Sequence, residues 1–172
     1  GEAPPYEIEL KYSGSNKYDR EPLDVLLRPY IAGGHPRDRI EERVYVVNGN
    51  SLDSSGQYGR TTLSAGEHSV SLRVKSEMGE EVEQQITIAV AENKLPTCGI
   101  SYREGSLSWS VYAECEDLDG RMKSFEWYLD GEPVSISTYR ITISKSTYET
   151  LPEVTLVGVD DAGGRSEPVT LQ

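Results

Sequence analysis

The sequence predicts an all-β protein, two β-sandwich domains in tandem, on three observations. Segments of alternating apolar and polar residues recur along the 172-residue chain, and no window sustains a helical period. Two of those segments repeat each other, Arg43-Val44-Tyr45-Val46-Val47-Asn48-Gly49 and Phe125-Glu126-Trp127-Tyr128-Leu129-Asp130-Gly131, each an alternating strand with a central aromatic that runs into an Asn-Gly or Asp-Gly turn. Each is followed by a matching strand, residues 68–74 and 153–159, and then by a turn glycine, Gly79 and Gly163. The offset is 82 residues from Gly49 to Gly131 and 84 from Gly79 to Gly163, so little length change separates the copies. A repeat this long is a duplicated domain and not a short solenoid unit.

Composition agrees. A domain of about 80 to 90 residues buries only roughly 60 to 65% of the surface its unfolded chain exposes, so each core is modest and covalent staples matter. The chain has 16 Gly, 9 Pro and 11 Tyr against 1 Phe, the balance expected of turn-rich sheets whose half-exposed faces take a polar-tipped ring. A net charge of −12 and a pI near 4.6, with no run of Lys or Arg, make nucleic acid and anionic membrane surfaces poor partners. The acidity reads as solubility, with cation binding or a saline exterior as alternatives. No apolar run reaches the roughly eighteen residues that span a bilayer, and no charged-then-apolar signal segment opens the chain. The leading Gly1-Glu2-Ala3-Pro4-Pro5 reads as a linker or an excision boundary, so the chain is expected to be a piece of something larger, monomeric by itself.

In the first domain Tyr6, Ile8, Leu10 and Tyr12 alternate with Glu7, Glu9 and Lys11, which turns one apolar face inward. Ser13-Gly14-Ser15-Asn16 ends that strand. Leu23, Val25, Leu27 and Ile31 make the next inward row, with Pro29 marking an edge or a bulge. Tyr45 and Val47 point inward from the central strand, Asn48-Gly49 is a hairpin signal, and a polar loop runs from Ser51 to Gly59. Val70, Leu72 and Val74, then Val82, Ile86, Ile88 and Val90, complete the domain.

The second domain repeats the plan. Cys98, Ile100 and Tyr102 form its first inward row and Glu104-Gly105 the turn. Leu107, Trp109, Val111, Ala113 and Cys115 alternate with Ser106, Ser108, Ser110, Tyr112 and Glu114, and Phe125, Trp127 and Leu129 give the third row. About seven short strands per domain make two packed sheets, not a barrel large enough to hold a ligand.

In order along the second domain stand Pro96-Thr97-Cys98, Glu116-Asp117-Leu118-Asp119-Gly120, the Phe125–Gly131 strand and turn, and Val159-Asp160-Asp161-Ala162-Gly163-Gly164. As an ordered set over most of residues 95–172 they resemble the PKD domain, an immunoglobulin-like sandwich of bacterial, archaeal and animal surface proteins. The family pattern is D-x-D-G, an aromatic-x-Trp strand into a Gly-Asp-Gly turn, then V-x-D-x-x-G. Leu129 stands where the family has its glycine before Asp-Gly. The first domain keeps the strand rhythm but has no D-x-D-G and carries Ser76-Glu77-Met78-Gly79 instead of the final Asp motif, so it is similar to immunoglobulin-like or fibronectin-like domains more generally. The expected domains are 1–92, immunoglobulin-like, and 93–172, PKD-like.

Both cysteines fall in the second domain, Cys98 at the start of its first strand and Cys115 at the end of its second. Antiparallel neighbours joined near Glu104-Gly105 bring those ends together on the inward phase, so a disulfide is geometrically reasonable. Two buried free thiols are the alternative. The loop it closes is worth roughly 3 kcal/mol on the chain-entropy estimate, and a bridge implies an oxidising compartment. It is not the inter-sheet bridge of antibody domains, because the partner strand offers Gly158 at the matching place.

Catalysis finds little support. His35 and His68 lack a metal-ligand spacing and read as surface residues. No serine lies in a G-x-S-x-G elbow, and no glycine-rich phosphate loop is present. Carboxylates are abundant, yet a sandwich of this size is expected to offer no cleft that raises one of them.

Asp117 and Asp119, in the loop after the second strand, and Asn93, in the linker that enters nearby, form a candidate calcium site, since calcium takes six to eight hard oxygens. Some PKD domains are similar in binding calcium where the linker meets this loop. The competing local reading, which the residues favour, is that Asp117 and Asp119 cap a turn with Gly120. Asp160 and Asp161 receive the same turn reading. Trp109 and Trp127 fall on the inward phase and read as core, which leaves the outward Tyr112 and Tyr128 as candidate binding residues.

These readings imply a non-enzymatic extracellular module pair, a spacer or an adhesion and surface-interaction segment of a larger secreted or surface protein. The alternative is a pair of polysaccharide- or protein-binding accessory domains of a secreted hydrolase. The expected partner is a protein or polysaccharide at a cell surface, with the periplasm as a second compartment and no cofactor beyond the candidate calcium.

Overall fold

The computed structural model describes residues 3–53 and 56–171. Gly1 and Glu2 of the expected leading linker, Ser54 and Ser55 of the expected polar loop, and Gln172 lie outside the described residues. The chain divides into two compact units, Gly1–Glu92 and Asn93–Gln172.

Unit 1 contains β1 (Glu7–Gly14), β2 (Leu23–Ala32), β3 (Ile40–Val47), β4 (Asn50–Ser51), β5 (Gly59–Leu63), β6 (Gly66–Ser76) and β7 (Glu81–Val90). Its two sheets have the orders β1-β2-β5 and β4-β3-β6-β7. Unit 2 contains β8 (Thr97–Glu104), β9 (Ser108–Glu116), β10 (Met122–Leu129), β11 (Glu132–Pro133), β12 (Arg140–Ser144), β13 (Val154–Asp160) and β14 (Val169–Leu171), in sheets β12-β9-β8 and β11-β10-β13-β14. Strand for strand this is one order used twice, an immunoglobulin-like sandwich in each unit. The short fourth strand of each unit stays hydrogen-bonded to the third, whereas in antibody constant domains it joins the other sheet.

The repeat holds in register. Tyr45 pairs with Leu72 in unit 1, and Trp127 with Leu156 in unit 2. Both aromatics sit at the centre of their cores, 0% and 1% exposed. Each satisfies its one buried polar atom on the backbone just ahead of the fifth strand: the Tyr45 hydroxyl donates to the Gln57 carbonyl and the Trp127 indole N–H to that of Thr138, at 2.5 and 2.8 Å. That is the requirement for burying a Tyr or Trp at no hydrogen-bond cost.

The turns repeat as well. Asn48 and Asp130 have φ of 50° and 49°, and the glycines after them 85° and 83°, the conformation of a two-residue hairpin that matches strand twist. Each turn side chain also clamps the neighbouring strand. Asn48 Oδ1 accepts the Ser69 N–H and Asp130 Oδ1 accepts the Glu153 N–H, both at 2.9 Å.

Several expectations change. Tyr12, Tyr102 and Leu107, read as inward, are 37%, 49% and 80% exposed: Tyr12 and Tyr102 lie toward the ends of β1 and β8 and Leu107 in the turn before β9, so the alternation outlasts the buried face. The fifth strand of each unit, β5 and β12, lacks a long alternating run and shows itself only through its pairing with β2 and β9. Pro29 is buried, opposite Leu10 of β1, and lies past the end of the β2–β5 ladder, so its missing N–H costs no ladder bond there. His35 is exposed as expected, but His68 is buried: its Nε2 meets the Ser64 carbonyl at 2.7 Å and its Nδ1 the Asn48 side-chain amide at 2.9 Å. The ring reinforces the Asn48 turn from behind, which a position at a strand start did not disclose.

Candidate functional site

The cluster at the start of unit 2 forms because β9 ends at Glu116 and the following loop, Asp117-Leu118-Asp119-Gly120, turns toward β10. Leu118 points out, 65% exposed, while Asp119 is 5% exposed. Asp119 Oδ2 accepts the N–H of Lys94 at 2.6 Å. Asp160 Oδ2 accepts the Asn93 side-chain amide at 2.8 Å, and its Oδ1 accepts the N–H groups of Ala162 and Gly164 at 3.0 and 2.6 Å. A Cβ on Gly164 would stand 2.6 Å from Asn93 Nδ2 and 2.7 Å from Asp160 Oδ2, so a bare backbone is what lets Asn93 reach Asp160.

Asn93, Asp117 and Asp119, the three expected calcium ligands, therefore lie in one neighbourhood, and Asp160 joins them. Sequence reading gave Asp160 a turn role only; its zero exposure comes from the third dimension. Both carboxylate oxygens of Asp117 are buried without a hydrogen-bond partner. Burial, followed by the neighbouring Asp119 and Asp160 carboxylates, pushes Asp117 up to about 6. The crowding arises in a loop, where Asn93 and Lys94 bond the neighbouring Asp160 and Asp119. Among the described residues no three acidic, histidine or cysteine side chains are arranged to hold a metal ion. The bonds made by Asp119 and Asp160 are those of residues that hold loops in place.

Cys98 and Cys115 face each other across the β8–β9 ladder and are joined in a disulfide, with Cα atoms 4.0 Å apart. Ile100, Ala113 and the two cysteines pack on the unit 2 core. Gly158 of β13 lies against the bridge, where a Cβ would stand 2.6 Å from Cys98 Sγ and 3.1 Å from Cys115 Sγ. The equivalent position in unit 1, set by the pairing of Arg43 with Val74 and of Phe125 with Gly158, is the buried Val74. The disulfide fills the space that a valine side chain fills in the other copy.

Trp109 and Trp127 are interior, 4% and 1% exposed. Tyr112 and Tyr128 point outward but are not brought together: Tyr112 is on β9 and Tyr128 on β10, the outer faces of opposite sheets. The Arg140 guanidinium lies 5.8 Å from the Tyr112 ring centre. Tyr128 and Glu126 both engage Arg165, which Glu126 binds as an ion pair. Both tyrosines are half-buried within such side-chain arrangements.

A cleft that sequence reasoning missed lies in unit 1 around Tyr6, His35, Asp38, Arg39 and Arg43. The legible signal was Arg43 itself, a charged residue on the inward phase of an otherwise apolar strand.

No protein-family model matches the chain, and no curated protein matches it. Solved structures are similar at low identity. The fibronectin(III)-like modules of Clostridium thermocellum CbhA share 14% identity over 93% of this chain and 91% of that one, with a TM-score of 0.41. A 1.5-MDa bacterial ice-binding adhesin studied for host cell surface retention shares 11% over 97% and 64%, at 0.48. The SGBP-B protein of the Bacteroides ovatus mixed-linkage glucan utilization locus, solved with a mixed-linkage heptasaccharide, shares 12% over 90% and 41%, at 0.35. The chain spans less than two thirds of the length of the last two.

Proposed function

We propose that this chain is a non-enzymatic, extracellular pair of modules, a spacer or surface-interaction segment of a larger secreted or surface protein. The observation that carries this reading is the Cys98–Cys115 disulfide packed against the core of unit 2, with Gly158 in place of a side chain to make room for it. A core shaped around a bridge belongs to a protein that matures in an oxidising compartment. Two copies of one filled sandwich suit a role in holding or presenting other domains, and function beyond that is set by sites on the fold and not by the fold. Calcium at Asn93, Asp117 and Asp119 belongs to this proposal. The supporting feature is the buried, hydrogen-bond-poor carboxylate of Asp117 beside two others, a crowding of negative charge that a hard divalent cation relieves.

The test is alkylation of the native protein in intact cells with a membrane-impermeant thiol reagent, before and after reduction, followed by mass spectrometry. Surface-accessible protein with Cys98 and Cys115 modified only after reduction is the expected result. Two alkylatable thiols without reductant, or protein reached only after lysis, overturns the extracellular assignment.

A further inference from the structure

The unit 1 cleft has a volume of about 430 Å3 and is lined by Tyr6, Gly34, His35, Asp38, Arg39 and Arg43 among others. Arg43 holds an inward position. It shares the phase of Tyr45 and Val47 on β3 and pairs with the buried Val74. At the same place in unit 2 stands Phe125, which packs on that unit's core. A guanidinium thus replaces an aromatic ring in one copy of a repeated fold. Its Nε is buried with no hydrogen-bond partner, and neither Arg43 nor Arg39 forms an ion pair among the described residues. Arg43 as a whole is half-buried, but an enclosed N–H left unmatched costs stability, and departures of that kind concentrate where a protein binds something.

The acids beside the cleft are already engaged. Asp38 Oδ1 accepts the N–H groups of Arg39 and Met78 at 2.9 and 3.0 Å, and Glu80 Oε2 accepts that of Tyr6 at 2.8 Å. His35 Nδ1 accepts the Arg37 N–H at 3.1 Å, which makes Nε2 the proton-bearing nitrogen of the neutral ring and a donor. The cleft therefore combines cationic donors with a carboxylate and a phenol, within the size range of small-molecule sites.

We propose that this cleft binds an acidic sugar, a hexuronate residue of a glycan, with the sugar carboxylate on Arg43 flanked by Arg39 and His35. A guanidinium matches a carboxylate in a two-point geometry, and the single charge of a carboxylate is better tolerated beside Asp38 than that of a phosphate. The Tyr6 oxygen, whose hydroxyl is held by Asp38, is left to accept from a ring hydroxyl. The inference rests on the extracellular reading only for where such a glycan is met.

Titration of the whole chain with glucuronate and galacturonate, with glucose and acetate as separate arms, tests it by NMR of the arginine Nε–H and backbone amide signals. The uronates are expected to shift the Arg43 Nε–H and the amides of residues 33–39, and to bind at least about tenfold more tightly than glucose or acetate, as loss of a charge-assisted bond implies. Arg43→Gln is expected to weaken uronate binding about tenfold or more on the same basis. Arg39→Ala, at an exposed residue, is expected to weaken it without moving the unfolding midpoint, and carries the test if Arg43→Gln does not fold. Equal binding of acetate or glucose, an unmoved Arg43 signal, or unchanged affinity in both variants overturns the site. Uronate binding by a protein found inside the cell overturns the extracellular proposal and leaves the site standing.

Discussion

Gly158 has no side chain at the point where one would press on Cys98, 2.6 Å from its Sγ. Val74 occupies that place in unit 1, where no disulfide runs. Gly158→Ala is therefore expected to destabilise unit 2 by about 1–3 kcal/mol, the usual cost of overpacking a filled core. Denaturant unfolding measures it. In a Cys98→Ala/Cys115→Ala background the same substitution is expected to cost clearly less, because contacting residues couple; equal costs in both backgrounds overturn the relationship.

Reduction acts on unit 2 alone, since the chain has 2 cysteines and both are there. Opening the bridge, with a sequence separation of 17 residues, is expected to lower unit 2 stability by roughly 3 kcal/mol. Separate unfolding of the two units with and without reductant reads this out, and an equal response in unit 1 contradicts it.

Asn48 and Asp130 each supply two things, a tolerated positive φ and a side-chain clamp on the next strand. Asn48→Gly keeps the first and loses the second, whereas Asn48→Ala loses both. The expected order of stability is wild type, then Gly, then Ala, with Ala costing about 1–3 kcal/mol. Asp130 variants are expected to follow the same order in unit 2.

Asp117 gives unit 2 a pH dependence of defined sign. Its value of about 6 in the folded protein stands above the 3.8 of an ordinary aspartate. Between those values the folded state holds a proton that the unfolded state has released, so stability from this group rises as pH falls from 7 through 6 and is complete below about 4. Asp117→Asn, neutral throughout, is expected to raise the pH 7 midpoint of unit 2 and to flatten its change between pH 7 and 4. A midpoint that falls on Asn substitution at pH 7 contradicts the assignment.

Calcium, if bound as proposed, is expected to raise the unit 2 midpoint at pH 7 in proportion to the logarithm of its concentration, and less at pH 5, where protons compete for Asp117. A melt unchanged by calcium or by chelator removes the cation from the proposal.

Much of the fold was legible because a buried face imposes a period of two, and because Asn48-Gly49 and Asp130-Gly131 need residues that accept positive φ. The long strands and the inward tryptophans could be read that way. β5 and β12 could not, because five-residue strands carry too few alternations to stand out. The Asp117–Asp119 loop was visible as a motif, but Asp160, some forty residues on, joins it only through the fold. Arg43 was in plain sight as a charge on an apolar phase, yet it reads as a site only beside Phe125 of the other copy.

The sequence by itself determined the strand periodicity and the duplication, since both follow from local spacing along the chain; it made a Cys98–Cys115 bridge reasonable beside two free thiols, and the fold decided for the bridge. The tertiary structure decided which groups lose their water or their space: Asp117 and Asp119 in the loop that Lys94 bonds, Arg43 beside the unit 1 cleft, and position 158, where a Cβ would press on the bridge. Desolvation depends on what other strands bring alongside a residue, and no spacing along the chain encodes that.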